Sequence, residues 1–180
     1  MIGRMSTSTL MAQDRNGKRA DRAALFAKLE ALGIATSTLE HEPMFTVEQS
    51  KTLRERLPGA HTKNLFLADK DGMLVLVVAK DDTKIDLKAL AKTLGAGRFS
   101  FGKSELLEAV LGVPAGSVTP FALINASARD VVVVVDRALM DFAEVNCHPL
   151  QNTATTRLKT ADLLRFIEAC GHKPRIMELG

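Results

Sequence analysis

The stretch KNLFLADKDGMLVLVVA, residues 63–79, decides the fold. Two apolar runs, residues 63–68 and 73–79, flank the turn sequence DKDG at 69–72. Short apolar runs joined by a tight Asp/Gly turn are typical of a β-hairpin. We therefore predict two adjacent antiparallel strands, because so short a loop cannot carry a chain across to a parallel neighbour.

Helical and extended patterns alternate on both sides of this hairpin. Helices are predicted where apolar residues three or four positions apart follow a capping residue or precede a glycine. Thr46, with its capping-box pattern, and Asp86 are predicted caps, and Gly95 is predicted to end the helix that Asp86 begins. These helices cover residues 21–32, 47–57, 86–94, 104–111 and 161–169, the last with Thr160 as its cap. Further strands are predicted at 34–40, 98–101, 120–126, 131–135, 142–145 and 153–157. The pattern favours an α+β fold with a mixed, largely antiparallel sheet flanked by helices.

The charged residues divide the chain into a basic tail and a neutral body. The net charge is +3, and residues 1–20 account for it with four basic residues against one aspartate. We predict a disordered N-terminal extension at 1–20, one domain at 21–174, and a C-terminal tail at 175–180. Proteins that track a long nucleic-acid backbone usually carry a basic face. The neutral body therefore argues against a broad surface for duplex DNA.

The composition also excludes several classes of protein. Hydrophobic residues make up 46% and charged residues 25%, as in ordinary soluble domains. The longest apolar runs are too short to span a bilayer, and the N-terminus lacks a secretory pattern, so no membrane partner is expected. Two cysteines, Cys147 and Cys170, do not form a disulfide framework. We therefore expect a reduced, cytoplasmic protein.

The segment NCHPLQNTATT, Asn146–Thr156, is dense in hydrogen-bonding side chains and carries no Asp, Glu, Lys or Arg. Such a segment suits the polar wall of a small pocket, with His148 and Asn152 as candidate ligand contacts. The alternative is a Thr-rich strand with ordinary turn chemistry.

Two other segments could contribute to the same pocket. Lys63 and Asn64 lie at the start of a strand, where an ammonium could hold a phosphate or polarise a carbonyl. The stretch GVPAGSVTP, residues 112–120, has two glycines and two prolines, so its backbone has a fixed shape and can approach a ligand closely. The alternative interpretation of Lys63 is a solvated lysine at a strand end. The alternative for residues 112–120 is a tight connection between a helix and a strand.

Metal and nucleophile chemistry are poorly supported by these residues. The four histidines share no zinc-type spacing, so no metal is expected, and we predict no cofactor. A Cys147–His148 nucleophilic pair is disfavoured because neighbouring strand residues point to opposite faces. If His148 faces the pocket, Cys147 faces the core.

Three segments together resemble the YbaK/ProX family of aminoacyl-tRNA editing proteins, namely TKNLFL at 62–67, GVPAGSVTPFALIN at 112–125 and VNCHPLQNTATT at 145–156. Within this family, they look most like the free-standing ProX type that is associated with prolyl-tRNA synthetase. The resemblance covers about residues 21–174. It implies that Lys63, with Asn64 beside it, is the catalytic lysine. It also implies that the family's GxxxP loop falls on 116–120, including Gly116, Ser117, Thr119 and Pro120, and that His148 is the pocket histidine. Cys147 departs from the family pattern, in which a larger residue is expected.

The resemblance implies a metal-independent hydrolase that removes alanine mischarged on tRNA(Pro), with the tRNA 3′ end as its partner and prolyl-tRNA synthetase as a transient one. A pocket that admits alanine and excludes proline would supply the selectivity, with Phe45, Thr46 and Val47 as its apolar lid; a hydrophobic staple is the alternative for these three residues. One alternative function is a deacylase of the same family for another mischarged tRNA, such as Cys-tRNA(Pro). A non-catalytic nucleic-acid-binding or chaperone-like protein is the other.

Overall fold

A computed structural model of the chain describes residues 19–44 and 47–180. Its α-helices are α1 (Arg22–Ala31), α2 (Val47–Arg56), α3 (Leu87–Leu94), α4 (Ser104–Leu111) and α5 (Thr160–Ala169). Its strands are β1 (Thr36–Glu40), β2 (Ala60–Ala68), β3 (Leu74–Lys80), β4 (Ser100–Phe101), β5 (Val132–Asp136), β6 (Glu144–Cys147), β7 (Ala154–Lys159) and β8 (Arg175–Met177). Short 3₁₀ helices span Pro120–Ile124, Ala126–Ala128 and Arg137–Asp141.

The strands form one mixed sheet in the order β1-β7-β6-β2-β3-β5-β8, with β4 beside β2. The pairs β1–β7, β6–β7, β2–β3 and β2–β4 are antiparallel, whereas β2–β6, β3–β5 and β5–β8 are parallel. Each parallel pair is separated along the chain by a long connection, as parallel pairing requires. The predicted α+β class with a mixed, largely antiparallel sheet is confirmed.

Two apolar cores lie on opposite faces of this sheet. Along β3, Leu76 and Val78 pack into the larger core with α1, α4 and α5, while Val75 and Val77 pack into the smaller core with α3. Because side chains alternate along a strand, a strand between two covered faces reads as a continuous apolar run. That explains why residues 73–79 carry no polar side chain.

Aspartate side chains cap the starts of α1 and α3, and the cap of α3 is as predicted. The Asp21 carboxylate accepts a hydrogen bond from the Ala24 amide at the start of α1, and the Asp86 carboxylate accepts one from the Ala89 amide at the start of α3. Gly95 ends α3 in the left-handed region, where a residue without Cβ is favoured. The hairpin is confirmed as well, with Leu65 opposite Val77.

Three sequence predictions are wrong. The strand predicted at 120–126 is a pair of 3₁₀ helices, because Pro120 starts the first turn and the Thr119 hydroxyl accepts a hydrogen bond from the Phe121 amide. Thr160 does not cap α5, since its hydroxyl donates to the Phe142 carbonyl at 2.6 Å. The C-terminal tail expected at 175–180 is instead part of the domain, because β8 pairs with β5 and Leu179 is buried.

The N-terminal extension at 1–20 lies almost wholly outside the described residues. Of its described end, the Ala20 amide donates to the Asn125 Oδ1 at 2.9 Å, and Ala20 packs against the larger core. The ordered domain therefore begins at or before this residue. Within the described residues, no helix is both long and apolar enough to cross a bilayer.

Candidate active site

A cavity of about 150 Å³ lies where α2 covers the junction of β2, β6 and β7. Its floor is buried and polar, and Asn146 and Thr155 contribute to it. Its rim includes the exposed Arg54 of α2. The lining residues are Met44, Ser50, Leu53, Arg54, His61, Thr62, Asp81, Asn146, Cys147, His148 and Thr155.

Parallel pairing of β2 with β6 brings the cavity residues together. His61 lies opposite Asn146 in this register, so the two side chains share a face. The Asn146 amide nitrogen donates to the carbonyls of Pro58 and Ala60 at 3.0 and 3.1 Å. These bonds hold the turn between α2 and β2 against the end of β6, and they form the cavity floor.

His148 presents one unprotonated nitrogen as a hydrogen-bond acceptor. Its Nδ1 lies 3.1 Å from the Ala154 carbonyl. A carbonyl can only accept, so Nδ1 carries the proton, and in the neutral ring Nε2 is an acceptor. Burial lowers the pKa of His148 below its ordinary value, with a further lowering from His41, against the opposing effect of the Ala154 carbonyl. His148 is therefore neutral at pH 7 and suited to accept a proton or a hydrogen bond.

The GxxxP loop at 116–120 packs directly against the chain that carries His148. The Thr119 hydroxyl donates to the His148 carbonyl at 2.7 Å. Ser117, Thr119 and Pro120 are buried, whereas Gly116 is exposed with a φ of +89°, a conformation that favours glycine. A Cβ placed on Gly116 would lie 4.0 Å from the Asn152 side-chain nitrogen, so the loop also abuts the turn after His148.

Lys63 and Asn64 follow the cavity residue Thr62 along β2, and they point to opposite faces of the sheet. The Lys63 ammonium donates to the Thr83 carbonyl in the turn after β3. An ammonium has three donors, so this bond leaves two for a ligand. The Asn64 Oδ1 is buried and accepts no hydrogen bond within the described part of the chain.

The predicted site residues do not all line one hollow. Among residues 19–44 and 47–180, His148 lines the cavity, whereas Lys63, Asn64, Asn152 and residues 116–120 do not. Lys63 adjoins it through Thr62, and the loop at 116–120 adjoins it through the His148 backbone.

The predicted lid lies partly outside the described residues. Phe45 and Thr46 are not described, and Val47 begins α2 but its side chain is not described. The residues on either side, Met44 and Ser50, both line the cavity. An ion pair between Arg54 of α2 and Asp81 after β3, at 3.1 Å, joins α2 to the sheet at the rim.

Cys147 is excluded as a nucleophile by its environment. It is 2% exposed, and burial raises the pKa of its thiol to about 12, against a weak lowering by the Thr62 hydroxyl. A thiol with that pKa is protonated at pH 7, and the thiolate is the reactive form. The prediction that Cys147 faces the core is confirmed, since it packs in the larger cluster although one side of it reaches the cavity wall.

The sequence did not single out several residues that line the cavity, namely Met44, Ser50, Leu53, Arg54, His61, Asp81, Asn146 and Thr155. His61 could have been found, because it lies two residues before Lys63 and therefore on the same face of β2. The contributions of Ser50, Leu53 and Arg54, beyond the predicted lid at the start of α2, could not be found, since only the β2–β6 pairing brings α2 over the polar segment.

The small polar cavity at the junction of β2, β6 and β7 suits a small polar group. Residues 41–166 match the model of the aminoacyl-tRNA editing domain family, and the chain belongs to this family. It is 40% identical over 151 residues to a prolyl-tRNA synthetase associated domain-containing protein 1 of Danio rerio, covering 83% of this chain and 82% of the relative.

A further relative agrees with this assignment, and a solved structure shares the fold. The chain is 36% identical over 159 residues to the prolyl-tRNA editing protein ProX of Acetoanaerobium sticklandii, covering 88% of this chain and 97% of the relative. Its fold matches the crystal structure of a protein described provisionally as a trans-editing enzyme for prolyl tRNA synthetase, with a TM-score of 0.68, 17% identity, and coverage of 88% and 96%.

Proposed function

We propose that this protein hydrolyses, in trans, the ester that joins mischarged alanine to the 3′ end of tRNA(Pro). The observation that carries the proposal is the polar cavity of about 150 Å³ beneath α2, with the neutral His148 in its wall. Membership of the aminoacyl-tRNA editing family supports the reaction class, and the name of the ProX relative supports the choice of tRNA.

The cavity volume supports a small aminoacyl group. A protein cavity of roughly 150 Å³ can hold one benzene molecule. An alanyl ester has the same number of non-hydrogen atoms as benzene, counting its amine, three carbons and two ester oxygens. A prolyl ester adds ring carbons, and a cysteinyl ester adds a sulfur atom. A synthetase cannot exclude alanine strongly, because each missing methylene is worth only about 1–3 kcal/mol. A second pocket that is too small for proline resolves the problem by steric exclusion.

The proposed mechanism needs no protein nucleophile and no metal, because the aminoacyl ester is already activated toward attack by water. The two Lys63 donors not used by Thr83 would contact the terminal phosphate or the ester and stabilise the negative charge that develops in the transition state. His148 Nε2 would order the attacking water or the α-ammonium group. Asn64 points to the face of β2 opposite Lys63, so it would support the strand that carries Lys63 without contacting the ester. The backbone at 116–120 would position the acylated end, and Ser117, Thr119 and Asn152 would support it. A vicinal ribose hydroxyl could assist.

Only the last nucleotides of the tRNA need to enter such a cavity, which is consistent with the neutral charge of the body. The proposal therefore includes a transient partnership with prolyl-tRNA synthetase, in the cytoplasm, to supply the correct tRNA.

Deacylation of alanyl-, cysteinyl- and prolyl-tRNA(Pro) by the wild type and by Lys63→Ala tests the proposal. We expect alanine to be released fastest and proline to be retained. Lys63→Ala should lower kcat roughly 100- to 1,000-fold, the usual loss on removing one transition-state donor. Lys159→Ala removes the exposed lysine at the end of β7, outside the cavity lining, and serves as the control, with activity unchanged.

Faster release of cysteine than of alanine would favour the Cys-tRNA(Pro) function. Failure of the wild type to deacylate any of the three tRNAs would favour a binding protein and would overturn the proposed hydrolysis.

A further inference from the structure

The Lys63 ammonium is held by a contact that continues into a buried carboxylate. Lys63 donates to the carbonyl of Thr83, in the turn that follows β3. The hydroxyl of the same Thr83 donates to Asp136 Oδ2 at 2.6 Å. Asp136 ends β5 and is 2% exposed. A chain of hydrogen-bonded groups thus runs from the end of β5 to the amine of Lys63.

Asp136 is bound by neutral donors only within the described residues. Its Oδ2 also accepts from the Lys80 amide at 3.1 Å, and its Oδ1 accepts from the Ala138 amide at 3.0 Å. A buried carboxylate is tolerated only when its oxygens are hydrogen-bonded. The two backbone donors cap the adjacent 3₁₀ helix and the end of β3. The Thr83 hydroxyl is the one side-chain donor, and it links the carboxylate to the turn that Lys63 contacts.

This linkage fixes the direction in which the Thr83 carbonyl points. Lysine has a flexible four-carbon stem, so an ammonium without a fixed partner occupies many positions. The turn itself is short, with the Thr83 amide donating to the Lys80 carbonyl at 3.0 Å. With its side chain anchored on Asp136 and its amide on Lys80, Thr83 has little freedom to rotate its carbonyl away from Lys63.

We propose that Thr83 and Asp136 are positioning residues that hold the Lys63 ammonium in place for ester hydrolysis. The inference rests on the proposed function, in which Lys63 is the catalytic residue. Neither residue touches the substrate in this account. Their effect is on the geometry of Lys63, and small errors in the placement of a catalytic group reduce the rate strongly.

Thr83→Val and Thr83→Ser form a matched pair that tests the linkage. Valine keeps the branched shape and the carbonyl but removes the hydroxyl, whereas serine keeps the hydroxyl. We expect Thr83→Val to lower kcat for alanyl-tRNA(Pro) roughly 10- to 100-fold with KM within about twofold, since binding contacts remain. Thr83→Ser should stay within about twofold of the wild type.

Thr160→Val controls for the loss of any buried threonine hydrogen bond, because the Thr160 hydroxyl donates to the Phe142 carbonyl, away from Lys63. It should reduce stability and leave kcat unchanged. An equal fall in kcat for Thr160→Val and Thr83→Val would show a general structural effect and would overturn the inference.

Nuclear magnetic resonance of the lysine ammonium groups provides a measurement that does not depend on activity. The Lys63 signal, assigned by its loss in Lys63→Ala, should be protected from exchange with water in the wild type and in Thr83→Ser. It should lose that protection in Thr83→Val. Unchanged protection and unchanged kcat in Thr83→Val would overturn the positioning role while leaving the hydrolase function intact. A wild type without deacylase activity would instead refute the hydrolase function, and the resonance would still report whether Thr83 holds Lys63.

Discussion

Replacing Asn146 with alanine removes the hydrogen bonds that form the cavity floor. The Asn146 amide group donates to the carbonyls of Pro58 and Ala60, and the residue is 3% exposed. Alanine cannot replace either bond. The Pro58 carbonyl lies in the turn that connects α2 to β2, and Ala60 is the first residue of β2. We therefore expect the variant to be destabilised and the position of α2 over the cavity to loosen.

The magnitude follows from the two bonds. Each has an ordinary length, and a neutral hydrogen bond contributes about 0.5–1.5 kcal/mol to stability. The expected loss is therefore about 1–3 kcal/mol in the free energy of unfolding. In a chain of this size, each kcal/mol lowers the melting temperature by about 2–4 °C. A loss of about 2 kcal/mol thus corresponds to a decrease of roughly 4–8 °C.

Urea denaturation and thermal melting of wild type and Asn146→Ala measure this loss directly. Asn152→Ala is the control, because Asn152 is half-buried and makes no hydrogen bond within the described residues. Its free energy of unfolding should change by less than about 0.5 kcal/mol. The reasoning is refuted if Asn146→Ala is as stable as the Asn152 control.

Three other predictions concern single side chains. Cys147→Ala should retain deacylase activity. Cys147 should resist alkylation by iodoacetamide at pH 7, because burial raises the pKa of its thiol to about 12. Rapid alkylation of Cys147 in the folded protein would contradict this. Gly59→Ala should destabilise the fold strongly, because the φ angle of Gly59 is +92° and the new Cβ would lie 2.7 Å from the Glu144 carbonyl oxygen. A melting curve like that of the wild type would refute this clash. Burial lowers the pKa of His172 below its ordinary value, so the unfolded chain binds the proton first as the pH falls. Its contribution to stability is complete above about pH 6.5 and is lost below it, by at most about 1.4 kcal/mol per pH unit. His172→Asn, which keeps a donor for the Val131 carbonyl, should flatten that dependence in urea titrations, and an unchanged slope would count against it.

Elements whose signals are local could be predicted from the sequence. The DKDG turn, the Asp86 cap and the Gly95 end of α3 each act through neighbouring residues, and each is found as predicted. The run at 120–126 could not be assigned in this way, because a short apolar run fits a buried strand and a buried helical turn equally well. The 3₁₀ conformation is stabilised by the hydrogen bond from the Phe121 amide to the Thr119 hydroxyl and by packing against α5.

The candidate site was only partly accessible to sequence reasoning. The polar segment at 146–156 indicated a pocket wall, and His148 does line the cavity. The roles of Asp136 and Thr83 depend on contacts between residues 53 positions apart, which no local pattern encodes. The same holds for Arg54 and Asp81, which meet only because α2 lies across the end of β3.

Release of alanine from alanyl-tRNA(Pro), measured beside prolyl-tRNA(Pro) with wild-type protein and Lys63→Ala, tests the central claim most directly. The account predicts rapid loss of alanine with wild type, retention of proline, and near-background rates with the variant. Equal release of both amino acids, or equal rates for wild type and variant, would contradict it.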